Sequence, residues 1–201
     1  MLNGKLLGTQ IMAQLASKGM TGSMLSSFSM AMGEGIVESF LSMNQVITTD
    51  VGFITSGTGK GKLSGLNDQA LFALVSSQMM GNGIKGVQMI SMAQGISKAV
   101  VQHFTSMNMV DTTHMGVALG TGVGKVLGLV PAMMSASIVS KMMGKGIKGT
   151  MLLPLVNAVS NGFCTHVMTT GIVNVAIVGS PAPLIIAVPI PGAGVGKGKV
   201  S

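Results

Sequence analysis

A short stretch that occurs twice limits what this chain can fold into. Met79-Met80-Gly81-Asn82-Gly83-Ile84-Lys85-Gly86 returns as Met142-Met143-Gly144-Lys145-Gly146-Ile147-Lys148-Gly149. The same offset carries Gly57-Thr58-Gly59 onto Gly120-Thr121-Gly122, and His103 onto His166. Separate matches at one offset mark an internal repeat, and a unit too small to bury its own apolar face must stack on its neighbours. The N-terminal region follows the same template. Lys18-Gly19-Met20-Thr21-Gly22 aligns with Asn82 to Gly86, and Phe40 and Met43-Asn44 align with Phe104 and Met107-Asn108.

Each unit reads as two helices and a strand. Asn67-Asp68 is an N-cap with an acid in the first turn, and Leu71, Val75 and Met79 then fall on one helical face. Met134, Ile138 and Met142 repeat that face behind Pro131, a residue tolerated in a first turn. Gly81 and Gly144 are the expected left-handed C-cap glycines. A second helix over about 87–107 carries Met89, Met92, Ile96, Val100, His103 and Met107 at spacings of three and four. The first helix of the N-terminal unit is expected to be about two turns shorter than its sisters. Gly35, Ala99 and Gly162 align across the second helices, and small residues there predict close approach near a shared axis.

After the second helices stand Thr48-Thr49, Thr112-Thr113 and Thr169-Thr170. Alternating stretches follow, Val51/Phe53, Met115/Val117/Leu119 and Val173/Val175/Ile177, and each predicts a strand running into Gly-Lys punctuation. The expected fold is therefore α+β and helix-rich: three internal repeats of helix-turn-helix-strand in a pseudo-threefold arrangement. The repeats occupy residues 1–57, 58–120 and 121–201 of one compact unit. The third contains a proline-rich insertion at about 179–191, expected as an extended arm, and a C-terminal Gly/Lys segment placed to complete the first unit.

Candidate chemistry is sparse. Gly120-Thr121-Gly122-Val123-Gly124-Lys125-Val126 falls short of a nucleotide loop, which needs four residues between its outer glycines and Ser or Thr after the lysine. His103 and His166 are equivalent, with Ser39 in the third place, and would converge on a metal only if the second helices met at an axis. Two imidazoles without a third ligand favour satisfied polar residues near a helix end. His114 is expected at an exposed strand start, within reach of Asp111. Glu34 and Glu38 share one helix whose sisters carry Lys98 and Gln102, so a solvated face is expected rather than an acid-base pair. Cys164 and His166 point to different faces, and the lone thiol reads as a small buried hydrophobe. No catalytic residue, cofactor or metal site is expected.

Composition narrows the partners. Only 8% of residues are charged, about a third of the usual globular share. So much apolar surface with so little charge implies a protein covered by partners or by lipid. The net charge of +7 is all lysine. Without arginine, tryptophan or tyrosine there is no bidentate or stacking base reader, so specific nucleic-acid recognition is not expected, although diffuse attraction to polyanions is. The 20 methionines suit packing against non-identical neighbours as well as the cores between helices. The opening Met1-Leu2-Asn3-Gly4-Lys5-Leu6-Leu7-Gly8 is too weakly apolar for a secretory signal.

The repeated order of Thr-Thr, alternating strand and Gly-Thr-Gly-x-Gly-Lys resembles virion structural proteins of tailed bacteriophages, the tail and baseplate components in particular. The resemblance implies a non-enzymatic subunit of a tail, baseplate or collar, in several copies. Other structural proteins of the assembly would be its partners, and no small-molecule substrate or specific nucleic acid would be. The alternative is an integral or peripheral membrane protein. No residue between Lys148 and Lys197 carries a formal charge except a protonated His166, but Asn157, Asn161, Asn174 and five prolines interrupt that span.

Overall fold

Two helices followed by two strands, three times over, make up the observed order. The computed structural model describes residues 1–52, 56–107, 109–115, 119–180 and 192–201. They form α1 (Gly4–Ser17), α2 (Ser23–Met43), β1 (Gln45–Gly52), β2 (Gly57–Ser64), α3 (Asp68–Gly81), α4 (Val87–Met107), β3 (Met109–Met115), β4 (Leu119–Leu127), α5 (Pro131–Met143), α6 (Leu152–Thr170), β5 (Ile172–Ser180) and β6 (Gly192–Val200). All six strands close in sequence order into one antiparallel barrel, sealed where β6 pairs with β1. The expected helix-turn-helix-strand repeats in a pseudo-threefold arrangement are overturned by this architecture. The Gly-Lys stretches expected as turns are strands β2, β4 and β6. The boundaries at 57/58 and 120/121 fall at the start of β2 and inside β4. The proline-rich arm lies, over 181–191, outside the described residues.

Barrel width explains those glycines. Strand number sets barrel diameter, and even eight strands leave an interior that side chains just fill. Six strands leave less, so the strands here divide the work. Odd strands point side chains inward: Val46, Thr48 and Asp50 from β1, Val110, Thr112 and His114 from β3, Val173, Val175 and Ile177 from β5. Even strands meet them with glycine. Asp50 stands between Gly59 and Gly194, His114 between Gly57 and Gly122, and Ile177 between Gly120 and Gly196. A Cβ at Gly59 would enter the Asp50 carboxylate, one at Gly57 the His114 ring, and one at Gly196 the Thr48 hydroxyl. Only next to the helices do even strands send large residues inward, as Leu63, Val126 and Val200.

The helices form a ring above the barrel, each packed against its two neighbours, with α1 closing onto α6. Phe40, Phe104 and Phe163 meet inside this ring, with centroids 4.5, 5.2 and 5.7 Å apart. Two of these pairs are edge-on, a favoured aromatic geometry. The small residues of the second helices serve other contacts. A Cβ at Gly35 would lie 2.8 Å from Val75 Cα, and one at Gly162 2.9 Å from Ile11 Cγ1. In α4 a close approach of the same kind is at Gly95, against Met142. Each glycine thus admits a neighbouring first helix of the ring, not a shared axis. Helix α1 has 14 residues, as does α3, so the expected shortening is absent.

The repeated stretch itself is a helix-ending motif. Ile84 N–H donates to Met79 O at 2.9 Å and Gly83 N–H to Met80 O at 3.0 Å. Ile147 and Gly146 repeat this pair with Met142 and Met143. This is the Schellman pattern, with an apolar contact from the residue after the glycine back to the last turn. The left-handed residues are Gly83 (φ 81) and Gly146 (φ 79), two positions later than expected. Gly81 ends α3, and Gly144 keeps right-handed geometry.

Candidate functional site

The two equivalent histidines each tie one helix to the start of another. His103 Nε2, on α4, accepts the Val130 N–H at 3.2 Å, and Val130 is the N-cap residue of α5. His166 Nε2, on α6, accepts the Asn3 N–H at 3.1 Å, and Asn3 caps α1 through its own Oδ1 on Leu6 N–H. Ser39 takes no such part, and Asn67 caps α3 with its own side chain. The imidazoles therefore engage the starts of different helices, and phenylalanines fill the interior of the helix ring. Burial holds both imidazoles below the ordinary histidine value, helped at His166 by the nearby N-terminal ammonium. Among the described residues no group of three or more His, Cys, Asp or Glu could hold a metal ion.

His114 is not at an exposed strand start. It points into the barrel, where its Nε2 lies 3.5 Å from Asp50 Oδ1. Thr48 Oγ1 donates to the other carboxylate oxygen at 2.8 Å, and Thr112 Oγ1 donates to Gly59 O at 3.3 Å. Asp111, the expected partner, points outward from the same strand. The clue in the sequence is parity. His114 shares its inward phase with Val110 and Thr112, and it faces glycines that alternate with Thr58, Lys60 and Lys62. Both side chains of the pair are without exposed surface and form a polar layer of the barrel core.

The remaining candidates are dispersed. Cys164 is buried with Sγ 4.0 Å from Met134 Sδ, and burial pushes its thiol up to about 12. Glu38 is exposed and accepts from Gln78 Nε2 at 3.3 Å, while Glu34 is half-buried beside Gly4. An open groove of about 650 Å³ between α5 and α6 is lined by Ala132, Val139, Met143 and Leu153, without a charged group.

The barrel's outer wall is the most distinctive surface. The outward positions nearest the helices carry most of the wall's charge, beside exposed Ile47, Met109, Leu127 and Ile172, and those farther from the helices carry little. The far positions are Thr49 and Val51, Thr58 and Lys60, Thr113 and Met115, Thr121 and Val123, Ala176 and Val178, and Ala193 and Val195. Lys60 is the one charge among them. Met115 is 77% exposed and Val178 66%, so this collar is open to whatever surrounds it. The near positions hold Lys62, Asp111, Lys125, Lys197 and Lys199. Neither interior pair nor outer wall assigns a chemistry by itself, and comparison with protein-family models, with curated proteins and with solved structures returned no match.

Proposed function

We propose that the chain is a non-enzymatic structural subunit of a large assembly, packed against several neighbouring proteins. The assembly is a bacteriophage virion, put together in the host cytoplasm, and the subunit belongs to its tail, baseplate or collar. The observation that carries this reading is the barrel collar. Val51, Met115, Val123, Val178 and Val195 are each about half exposed or more, on a wall with one charge. An exposed apolar patch of that kind marks a surface that a partner covers.

The collar suits a protein partner better than a bilayer. Its two outward positions per strand give a band roughly 13 Å tall along the strand, whereas a membrane barrel needs about 25 Å of apolar wall. No described helix is long and apolar enough to cross a membrane. The reading predicts that the protein co-sediments with particles and forms defined oligomers without detergent. Met115→Lys combined with Val178→Lys should abolish incorporation while the helical circular-dichroism signal stays unchanged. Retention of the wild type in alkaline-washed membranes would contradict the assembly and favour the membrane alternative.

A further inference from the structure

We infer that a lysine stripe crossing the barrel wall, from Lys199 beside the helices to Lys60 in the far half, is a contact surface for the phosphate backbone of nucleic acid, read without regard to sequence. The inference rests on the lysines, three of them in the near-helix half and Lys60 among the far positions, and not on the apolar side chains of the collar. Lys62 and Lys197 stand opposite Ile47 of β1, one on each side. Lys60 lies two residues along β2, opposite Thr49, and Lys199 two residues along β6, opposite Asn174. All four are exposed. With ~3.4 Å per residue and ~4.8 Å per strand, they form a diagonal stripe roughly 17 Å long.

Strands β2, β1 and β6 present no outward acid to neutralise this stripe, since Asp50 of β1 points inward to His114. The one outward acid, Asp111 on β3, stands between Lys60 and Lys125. Among the described residues no lysine has a carboxylate within ion-pair distance. Stripe positions are spaced by threonine, valine and isoleucine, and the outside of a closed barrel is convex, a shape that suits a line of phosphates. Duplex DNA carries a charge every ~1.7 Å of axis, so it meets such a line of ammonium groups in any register. Lysine is a point-charge phosphate binder, and threonine hydroxyls such as Thr49 add backbone-type donors. Without arginine or a stacking aromatic on this wall, bases are not read.

The test is fluorescence anisotropy of a labelled mixed-sequence DNA duplex with the full chain, titrated between about 50 and 200 mM salt. The expected log–log salt slope is about −3.6 for four phosphate contacts, falling by about one for each lysine replaced. A Lys60→Gln/Lys62→Gln/Lys197→Gln/Lys199→Gln variant should lose nearly all salt-dependent binding. A variant with the same charge loss at the helix turns, Lys18→Gln/Lys85→Gln/Lys145→Gln/Lys148→Gln, should keep it. Asp111→Asn should tighten binding, an effect that loss of fold cannot mimic. Thermal melts of each variant establish that it is folded. Equal loss in both quadruple variants would reduce the effect to net charge and overturn the proposal. So would no binding at low salt, or competition by polyglutamate as strong as by DNA at equal charge, which would assign the wall to an acidic protein.

Discussion

At the scale of single residues, burial decides behaviour more than residue type does. The Cys164 thiol, pushed up to about 12, holds almost no thiolate at pH 8, and the thiolate is the reactive form. Iodoacetamide should therefore label it very slowly in the native protein and at the ordinary cysteine rate in urea; rapid native labelling would show that the α6 face is open. His103 and His166 make a second prediction. Each is held neutral in the fold and below its ordinary value, so the unfolded chain takes up protons first as pH falls. Their contribution is complete above the ordinary value of 6.5 and is lost as pH drops through the lower folded value. Protonation also removes the lone pair that accepts Val130 and Asn3 N–H. Urea midpoints should fall from pH 8 to pH 5, and a His103→Gln/His166→Gln variant should show a flatter profile. Asp50→Ala should destabilise by about 1–3 kcal/mol, because it removes a buried carboxylate that accepts from the Thr48 hydroxyl inside the barrel and leaves that donor unpaired.

Elements show how one residue type serves different ends. Gly81 lies at the end of α3 with open space around it and no positive φ. Alanine there should stabilise, by up to about 1 kcal/mol. Gly59 sits in β2 against the Asp50 carboxylate and the Thr112 hydroxyl. Alanine there should destabilise by more than about 2 kcal/mol, since a packed core yields little. Chemical denaturation of the two variants side by side checks both signs. The helices were legible in the sequence because Leu71, Val75, Met79 and their counterparts keep an apolar period. So was the helix-ending stretch, although Gly83 and not Gly81 bears the left-handed turn. Half of the barrel was not legible. Gly57-Thr58-Gly59-Lys60-Gly61-Lys62 also alternates with period two, but its inward member is glycine, which leaves no apolar signal. Strands β1 and β3 start earlier than the expected Val51/Phe53 and Met115/Val117/Leu119 stretches, of which Phe53 and Val117 lie outside the described residues; Val51 and Met115 are apolar yet point outward, while Asp50 and His114 point inward. Thr169-Thr170 resembled the strand pairs Thr48-Thr49 and Thr112-Thr113 but ends α6.

For the whole molecule, the outward apolar phase of β1 and β3 bears on function. A chain that spends glycine on its barrel interior and valine, threonine and methionine on the outer collar has exchanged the usual pattern of a water-facing sheet. The helix ring and the barrel each close on themselves, through α1 on α6 and β6 on β1, so among the described residues no unpaired sheet edge is offered for association. The proposed assembly would therefore use side-chain surfaces. Methionine footprinting reads the decisive one, because peroxide oxidises exposed thioethers first. In the free chain Met115, 77% exposed, should oxidise quickly, while Met32, Met79 and Met134, with no exposed surface, should not. In particles containing the protein, the account predicts that Met115 becomes as protected as those three. Oxidation of Met115 in the particle at the rate of the free chain would contradict it.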